Sequence, residues 1–107
     1  MNLKYLGRLK DGKRNGDGRS FWPSGAVYYD GNWEDNQPHG DKCTTFHKNK
    51  SKWYVGNLVQ GLKEGKGAEY YDNGQVMFEG NWVNNEPYGE NIKIFNADGS
   101  VMFQGDK

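Results

Sequence analysis

Three residues set four apart, His39, Cys43 and His47, are of the types that hold zinc. An interval of four puts ligands on one face of a helix, but this stretch reads as turn and strand, and a structural zinc takes a fourth ligand. A later copy of the segment carries Tyr88, Ile92 and Asn96 at the matching positions. That substitution pattern fits packing and turn roles, so no metal and no other cofactor is expected. Paired carboxylates, Asp11 with Asp17 and Glu64 with Glu69, fall in hydrophilic turns or strand starts, and no Ser or Cys nucleophile stands beside a histidine. Gly16-Asp17-Gly18 and Gly65-Lys66-Gly67 lack the strand-then-helix setting of a phosphate loop. Neither catalysis nor a small-molecule substrate is therefore expected.

What remains is the chemistry of surfaces. Tyr28, Trp53, Met77 and Met102 recur at one position of a repeat described below, on the face expected opposite its Tyr-Gly-Trp stripe, joined by Val55, Val59 and Val83, with Asp30, Asn32, Glu79 and Asn81 keeping part of that face polar. Aromatic and methionine side chains are what adaptable protein interfaces use, so Tyr28, Trp53, Val55, Met77, Val83 and Met102 are the expected partner-binding set. A second expectation rests on cations: Lys10, Lys13, Arg14 and Arg19, then Lys48, Lys50 and Lys52 with Lys42, any of which suits a phosphoinositide headgroup. Residues 1–53 carry ten positive and six negative side chains, and residues 54–107 carry four and eight, so a net charge of zero conceals halves of opposite sign. The uniform basic footprint of a nucleic-acid binder is missing, and no nucleic-acid partner is expected.

These side chains need elements to hold them. At 107 residues the chain is read as one domain, 1–107. A mean hydropathy of −1.08 leaves no apolar run long enough for a membrane helix or signal-peptide core, and a lone Cys43 suits a reducing compartment, so a cytoplasmic setting is expected. Aromatics at 15% together with 16 glycines point to β structure with many forced turns rather than disorder.

Tyr5-Leu6-Gly7 returns as Tyr29-Asp30-Gly31, Tyr54-Val55-Gly56, Phe78-Glu79-Gly80 and Phe103-Gln104-Gly105, with glycine spacings of 24, 25, 24 and 25. Residues 5–53 laid over 54–102 without a gap give 16 identities in 49 positions. Repeats therefore run over about 5–28, 29–53, 54–77 and 78–102, with a partial fifth at 103–107. Asp11-Gly12, Asp35-Asn36, Gln60-Gly61 and Asn84-Asn85 read as hairpin tips in which Gly or Asn takes a positive φ. Second turns fall at Pro23-Ser24-Gly25, Asn49-Lys50, Asp72-Asn73-Gly74 and Ala97-Asp98-Gly99.

Between turns the apolar residues alternate: Leu3, Tyr5, Gly7 and Leu9 point one way, as do Val27, Tyr29, Gly31 and Trp33, then Val76, Phe78, Gly80 and Trp82. The pattern predicts an all-β, elongated, single-layer antiparallel meander of about nine strands, near 3–10, 17–22, 26–34, 41–47, 52–59, 66–71, 75–83, 90–96 and 100–105. Aromatics lying over glycines on adjacent strands are expected to supply the interior that one layer lacks. The end strands read as open edges, a template for self-association with another chain.

Tyr5-Leu6-Gly7, Gly12, Gly16-Asp17-Gly18, Trp22-Pro23-Ser24-Gly25 and Tyr29-Asp30-Gly31-Asn32-Trp33 together resemble the MORN (membrane occupation and recognition nexus) repeat, over essentially the whole chain. The resemblance implies a rod-like β meander serving as a non-enzymatic scaffold or adaptor that binds proteins, in a cytoskeletal or ciliary assembly; a peripheral membrane adaptor is the alternative. Lys42 and Asn91 stand where the pattern has the second glycine of Gly-x-Gly, and Lys50 stands at a turn glycine, so local distortion is expected there.

Overall fold

A computed structural model describes residues 4–107; Leu3, expected to begin the first inward row, lies outside them. The strands are β1 Tyr5–Lys10, β2 Lys13–Phe21, β3 Val27–Glu34, β4 Gln37–Pro38, β5 Gly40–Phe46, β6 Lys52–Val59, β7 Leu62–Tyr70, β8 Val76–Val83, β9 Glu86–Tyr88, β10 Ile92–Phe95 and β11 Val101–Gly105. An antiparallel sheet runs β1-β2-β3-β5-β6-β7-β8-β9, with β4 folded onto β3, and β10-β11 form a second, two-stranded sheet. The layer is 45 Å long and 25 Å wide and is not closed into a barrel. Among the described residues there is no helix, hence none long and apolar enough to cross a membrane.

Each hairpin tip has both central residues left-handed: Asp11 and Gly12 at φ 51° and 76°, Asp35 and Asn36 at 47° and 69°, with Gln60-Gly61 and Asn84-Asn85 alike. Two positive φ values make the tight turn whose twist matches the strands it joins. The ladder then continues to the tip, with Lys10 opposite Lys13 and Val59 opposite Leu62. For that reason β2 and β7 begin at Lys13 and Leu62, earlier than the predicted 17 and 66.

Even-numbered repeats behave differently at the residues that depart from the glycine pattern. The register jumps between Gly40 and Cys43, around Lys42, and Asn91 takes φ 50° where the strand is interrupted between β9 and β10. Lys50 adopts φ 77° in its turn, the conformation that Gly25, Gly74 and Gly99 hold at the equivalent place. The expected distortions are therefore present. The predicted unbroken meander, however, parts before β10-β11, which is joined by Gly89 and Lys107 exchanging backbone hydrogen bonds of 3.0 and 2.8 Å.

One face carries the core: Tyr29, Trp33, Cys43, Tyr54, Leu58, Phe78 and Trp82 are buried there, with Tyr5, Ile92 and Ile94 packed against them. No second layer covers these rings; instead they lie across their own sheet. A methyl group placed on Gly18 would come within 2.5 Å of the Tyr5 hydroxyl, and one on Gly80 within 2.8 Å of Phe78 Cζ, so the glycines are the floor on which the rings rest. Edge-to-face pairs tie the rings into one group in each half, Tyr5–Trp33 at 5.3 Å with Tyr29–Trp33 at 5.0 Å, and Tyr54–Trp82 at 5.7 Å with Phe78–Trp82 at 5.3 Å. Burying each such ring stabilises the fold by about 2–3 kcal/mol, which is how a single layer acquires a core.

The tyrosine hydroxyls have a further task. In β1 and β6 the register skips Arg8 and Asn57, and the carbonyls of those residues accept hydrogen bonds from Tyr5 and Tyr54 at 2.6 and 2.8 Å. Tyr29 donates likewise to Asn32 O at 2.6 Å.

Candidate binding surface

The partner-binding row turns on a backbone irregularity that alternation alone does not reveal. Ser20 pairs with Tyr29 and the next pair is Phe21 with Val27, so Tyr28 has no partner of its own. Trp53, Met77 and Met102 are skipped in the same way, between Tyr54 and Lys52, Phe78 and Val76, and Phe103 and Val101. A bulge of this kind re-aims the unpaired side chain. Tyr28 accordingly lines a cavity with Ser20 and Trp33, whose backbone partners place them on the ring-bearing side, rather than standing on the opposite face as alternation predicted.

The six predicted partner residues do not form one patch. Tyr28 and Trp53 meet within a cluster completed by Trp22 and His47: Trp22–Tyr28 centroids lie 4.8 Å apart, Trp22–Trp53 6.4 Å and nearly parallel, and His47 stacks on Trp53 at 4.8 Å. Val55 is cross-strand from Ala68, itself opposite Glu79, and so belongs to the back of the sheet. Val83, Met102 and Tyr28 are exposed, while Met77 is half-buried.

Trp22 and His47 were not among the predicted contact residues. Their signal was present, because they precede second turns and recur as Tyr71 and Asn96. Each reaches one repeat onward: Trp22 Nε1 donates to Phe46 O at 3.0 Å, His47 Nε2 lies 2.8 Å from Tyr70 O, and Tyr71 Oη donates to Phe95 O at 2.7 Å.

Cations are also dispersed. Lys10 and Lys13 flank the first hairpin tip, whereas Lys48 and Lys50 lie in the turn at the other end of the strands, with Lys52 beginning β6. Strands of eight or nine residues separate these edges by roughly 25 Å. Arg19 is occupied by Asp30 at 3.3 Å, and Lys48 Nζ sits 5.3 Å above the Trp22 ring.

The His39, Cys43 and His47 side chains are drawn to three separate environments. Cys43 is fully buried, with Sγ donating to Gly40 O at 3.3 Å, and burial pushes its thiol pKa up. His39 faces Glu34 at 3.4 Å near a hairpin tip, and His47 is stacked on Trp53.

The duplicated halves present one site twice with different contents. In the second half, Lys63 Nζ lies 5.6 Å from the Tyr54 ring centroid and 5.0 Å from that of Trp82, and it is ion-paired with Glu69. Trp82 Nε1 donates to Gly67 O at 2.9 Å. In the first half the Arg14 guanidinium sits 4.9 Å over Tyr5 and 5.2 Å over Trp33. Ser20 stands where the second half has Glu69, both being paired with the following Tyr-x-Gly aromatic. Arg14 has no carboxylate within ion-pair distance among the described residues. Ser20 Oγ and Trp33 Nε1 are buried with no hydrogen-bond partner among the described residues. Burial raises the pKa of Tyr54 to about 12 and that of Tyr29 further, while at Tyr5 the rise from burial is opposed by Arg14.

The MORN repeat family profile matches residues 5–27, 29–40, 54–76 and 78–89. A search of curated proteins finds no significant match to the chain.

Proposed function

Because the chain belongs to the MORN repeat family, we propose that it is a non-enzymatic scaffold or adaptor module that holds protein partners on its ring-bearing side, within a cytoskeletal or ciliary assembly. The observation that carries this reading is the cluster of Trp22, Tyr28, His47 and Trp53: three rings in mutual contact with His47 stacked on Trp53, at the margin of the sheet, Tyr28 among them exposed. Amphipathic rings held at fixed positions provide contact area at small entropic cost, and they are the side chains that dominate protein interfaces. Each is anchored by backbone bulges or by hydrogen bonds to the next repeat, so the surface is preorganised.

The test is affinity capture from native extract with wild-type protein and with a Tyr28→Asp, Trp53→Asp variant whose unfolding transition remains cooperative. A defined protein set retained by the wild type and lost by the variant is the expected result. Retention of the same set by both would overturn the assignment of the binding surface.

A further inference from the structure

We propose that the first half of the chain contains a carboxylate-binding site, built around Arg14, Ser20 and Trp33, that receives an aspartate or glutamate side chain of a protein partner. The proposal rests on the module's being a protein-binding scaffold and names the chemistry of what it holds.

The internal copy supplies the argument. At equivalent positions the second half satisfies its own cation, Lys63, with its own carboxylate, Glu69. In the first half the carboxylate is replaced by Ser20, the cation is kept as Arg14, and the indole N–H that Trp82 gives to Gly67 O is left without an acceptor on Trp33. A buried polar atom without a partner costs free energy, and among the described residues Ser20 Oγ and Trp33 Nε1, on two residues that line one cavity with Arg14, are both without one. The Arg14 guanidinium lies over the Tyr5 and Trp33 rings, and its planar fork is the group that a carboxylate meets with two hydrogen bonds.

The surroundings agree with that occupant. A cavity of 510 Å³ opens here, lined by Lys4, Arg14, Ser20, Trp22, Tyr28 and Trp33 among others, and none of its lining residues is acidic. Its size lies within the range of ligand clefts, about 300–1,000 Å³. Lys4 and Arg14 make the mouth positive, while Trp22 and Tyr28 offer an apolar wall for the residue next to the acidic one. The cations that would widen the field for a multiply charged headgroup, Lys48 and Lys50, lie in the turn between β5 and β6 and do not line the cavity. A single carboxylate next to an apolar side chain matches this balance better than a phosphorylated lipid.

The test is titration of the full chain, isotope-labelled and followed by the Trp indole N–H resonances. Its probes are a capped acetyl-Leu-Glu-Leu-Tyr-amide peptide, its Gln counterpart, inorganic phosphate, and phosphatidylcholine vesicles containing phosphatidylserine. Saturable movement of the Trp33 resonance by the Glu peptide, with Trp82 unmoved and the Gln peptide at least about tenfold weaker, is the expected outcome. Arg14→Gln should weaken the peptide by at least about tenfold. Ser20→Glu, which installs the second half's own solution, should abolish binding while keeping the fold, so a failure of the Arg14 variant to fold does not rescue the proposal. Equal binding of the Glu and Gln peptides, or Glu-peptide binding unaffected by Ser20→Glu, overturns it. Phosphate or vesicles that move Trp33 through Arg14 while the Glu peptide does not would also overturn it, in favour of a phosphate ligand. Failure of the wild-type chain to retain any defined protein set from extract, together with intact peptide binding, would refute the scaffold reading alone.

Discussion

The two halves of this chain, residues 5–53 and 54–102, share a backbone design and differ in how they dispose of charge. Both place a cation over a tyrosine–tryptophan pair, Arg14 over Tyr5 and Trp33 and Lys63 over Tyr54 and Trp82. The second half neutralises its cation internally through Glu69, and the first does not, with Ser20 in that place. Fold and charge pairing are thereby separated along the sequence. The glycines and rings that build the sheet are common to both halves, whereas the one position that closes the polar network varies between them.

The largest expected effects concern what the halves share. Gly67→Ala puts a methyl group into the Tyr54 ring, and Gly18→Ala puts one into Tyr5. Each should destabilise by about 3 kcal/mol, read as a drop in denaturant midpoint of similar size in both. A large cost in one half and none in the other would break the equivalence of the two floors.

Alkaline titration separates the equivalent tyrosines of the two halves, Tyr5 and Tyr54, next. Tyr54 has a folded pKa of about 12, raised from 10.0, so its neutral form is favoured by folding. Its contribution is fully present below the unfolded pKa and is lost as pH rises from about 10 through 12, because there the unfolded chain ionises first; the loss amounts to roughly 2–3 kcal/mol. Tyr5, less buried and near Arg14, carries less of this penalty. Tyrosinate absorbance should therefore appear in two parts, the later one coincident with unfolding. Tyr54→Phe, which makes the position resemble Phe78, should extend the stable range, and no change in the alkaline midpoint would contradict the assignment.

A smaller difference is expected at the indoles. Trp82→Phe loses both ring area and the hydrogen bond to Gly67 O, whereas Trp33→Phe loses ring area and removes an unpartnered donor. Trp82→Phe should cost about 1 kcal/mol more than Trp33→Phe in chemical denaturation. Equal costs would show that the Trp33 N–H is satisfied in solution.

Much of the fold was legible in the sequence because its turns demand particular residues. Asn36, Asn85 and the tip glycines announce left-handed backbone, and repetition at 24 and 25 residues converts each turn into a register for the whole sheet. Asn36 does more than turn the chain: its side-chain oxygen accepts from Arg14 N at 2.8 Å, while its own N–H donates to Arg14 O at 3.0 Å, and Asn85 repeats this with Lys63. The candidate binding surface was less legible. Alternation sent Tyr28 and Trp53 to the back of the sheet, and a bulge, which leaves no mark in a hydrophobic pattern, leaves each without a backbone partner where they meet Trp22. Cations that cluster in the sequence were parted by the length of a strand. The pairing of Ser20 against Glu69 lay in the 49-residue alignment all along, but without coordinates nothing linked either residue to Arg14 or Lys63.

The most direct test of the central claim is a double-mutant cycle between Arg14→Gln and Ser20→Glu, measured by denaturant unfolding of all four proteins at low ionic strength. If the first half lacks only the carboxylate that the second half provides, glutamate at position 20 should stabilise the protein with Arg14 present, with a favourable coupling of about 1 kcal/mol that shrinks in high salt. A coupling near zero, or a Ser20→Glu protein equally destabilised with and without Arg14, would contradict the account.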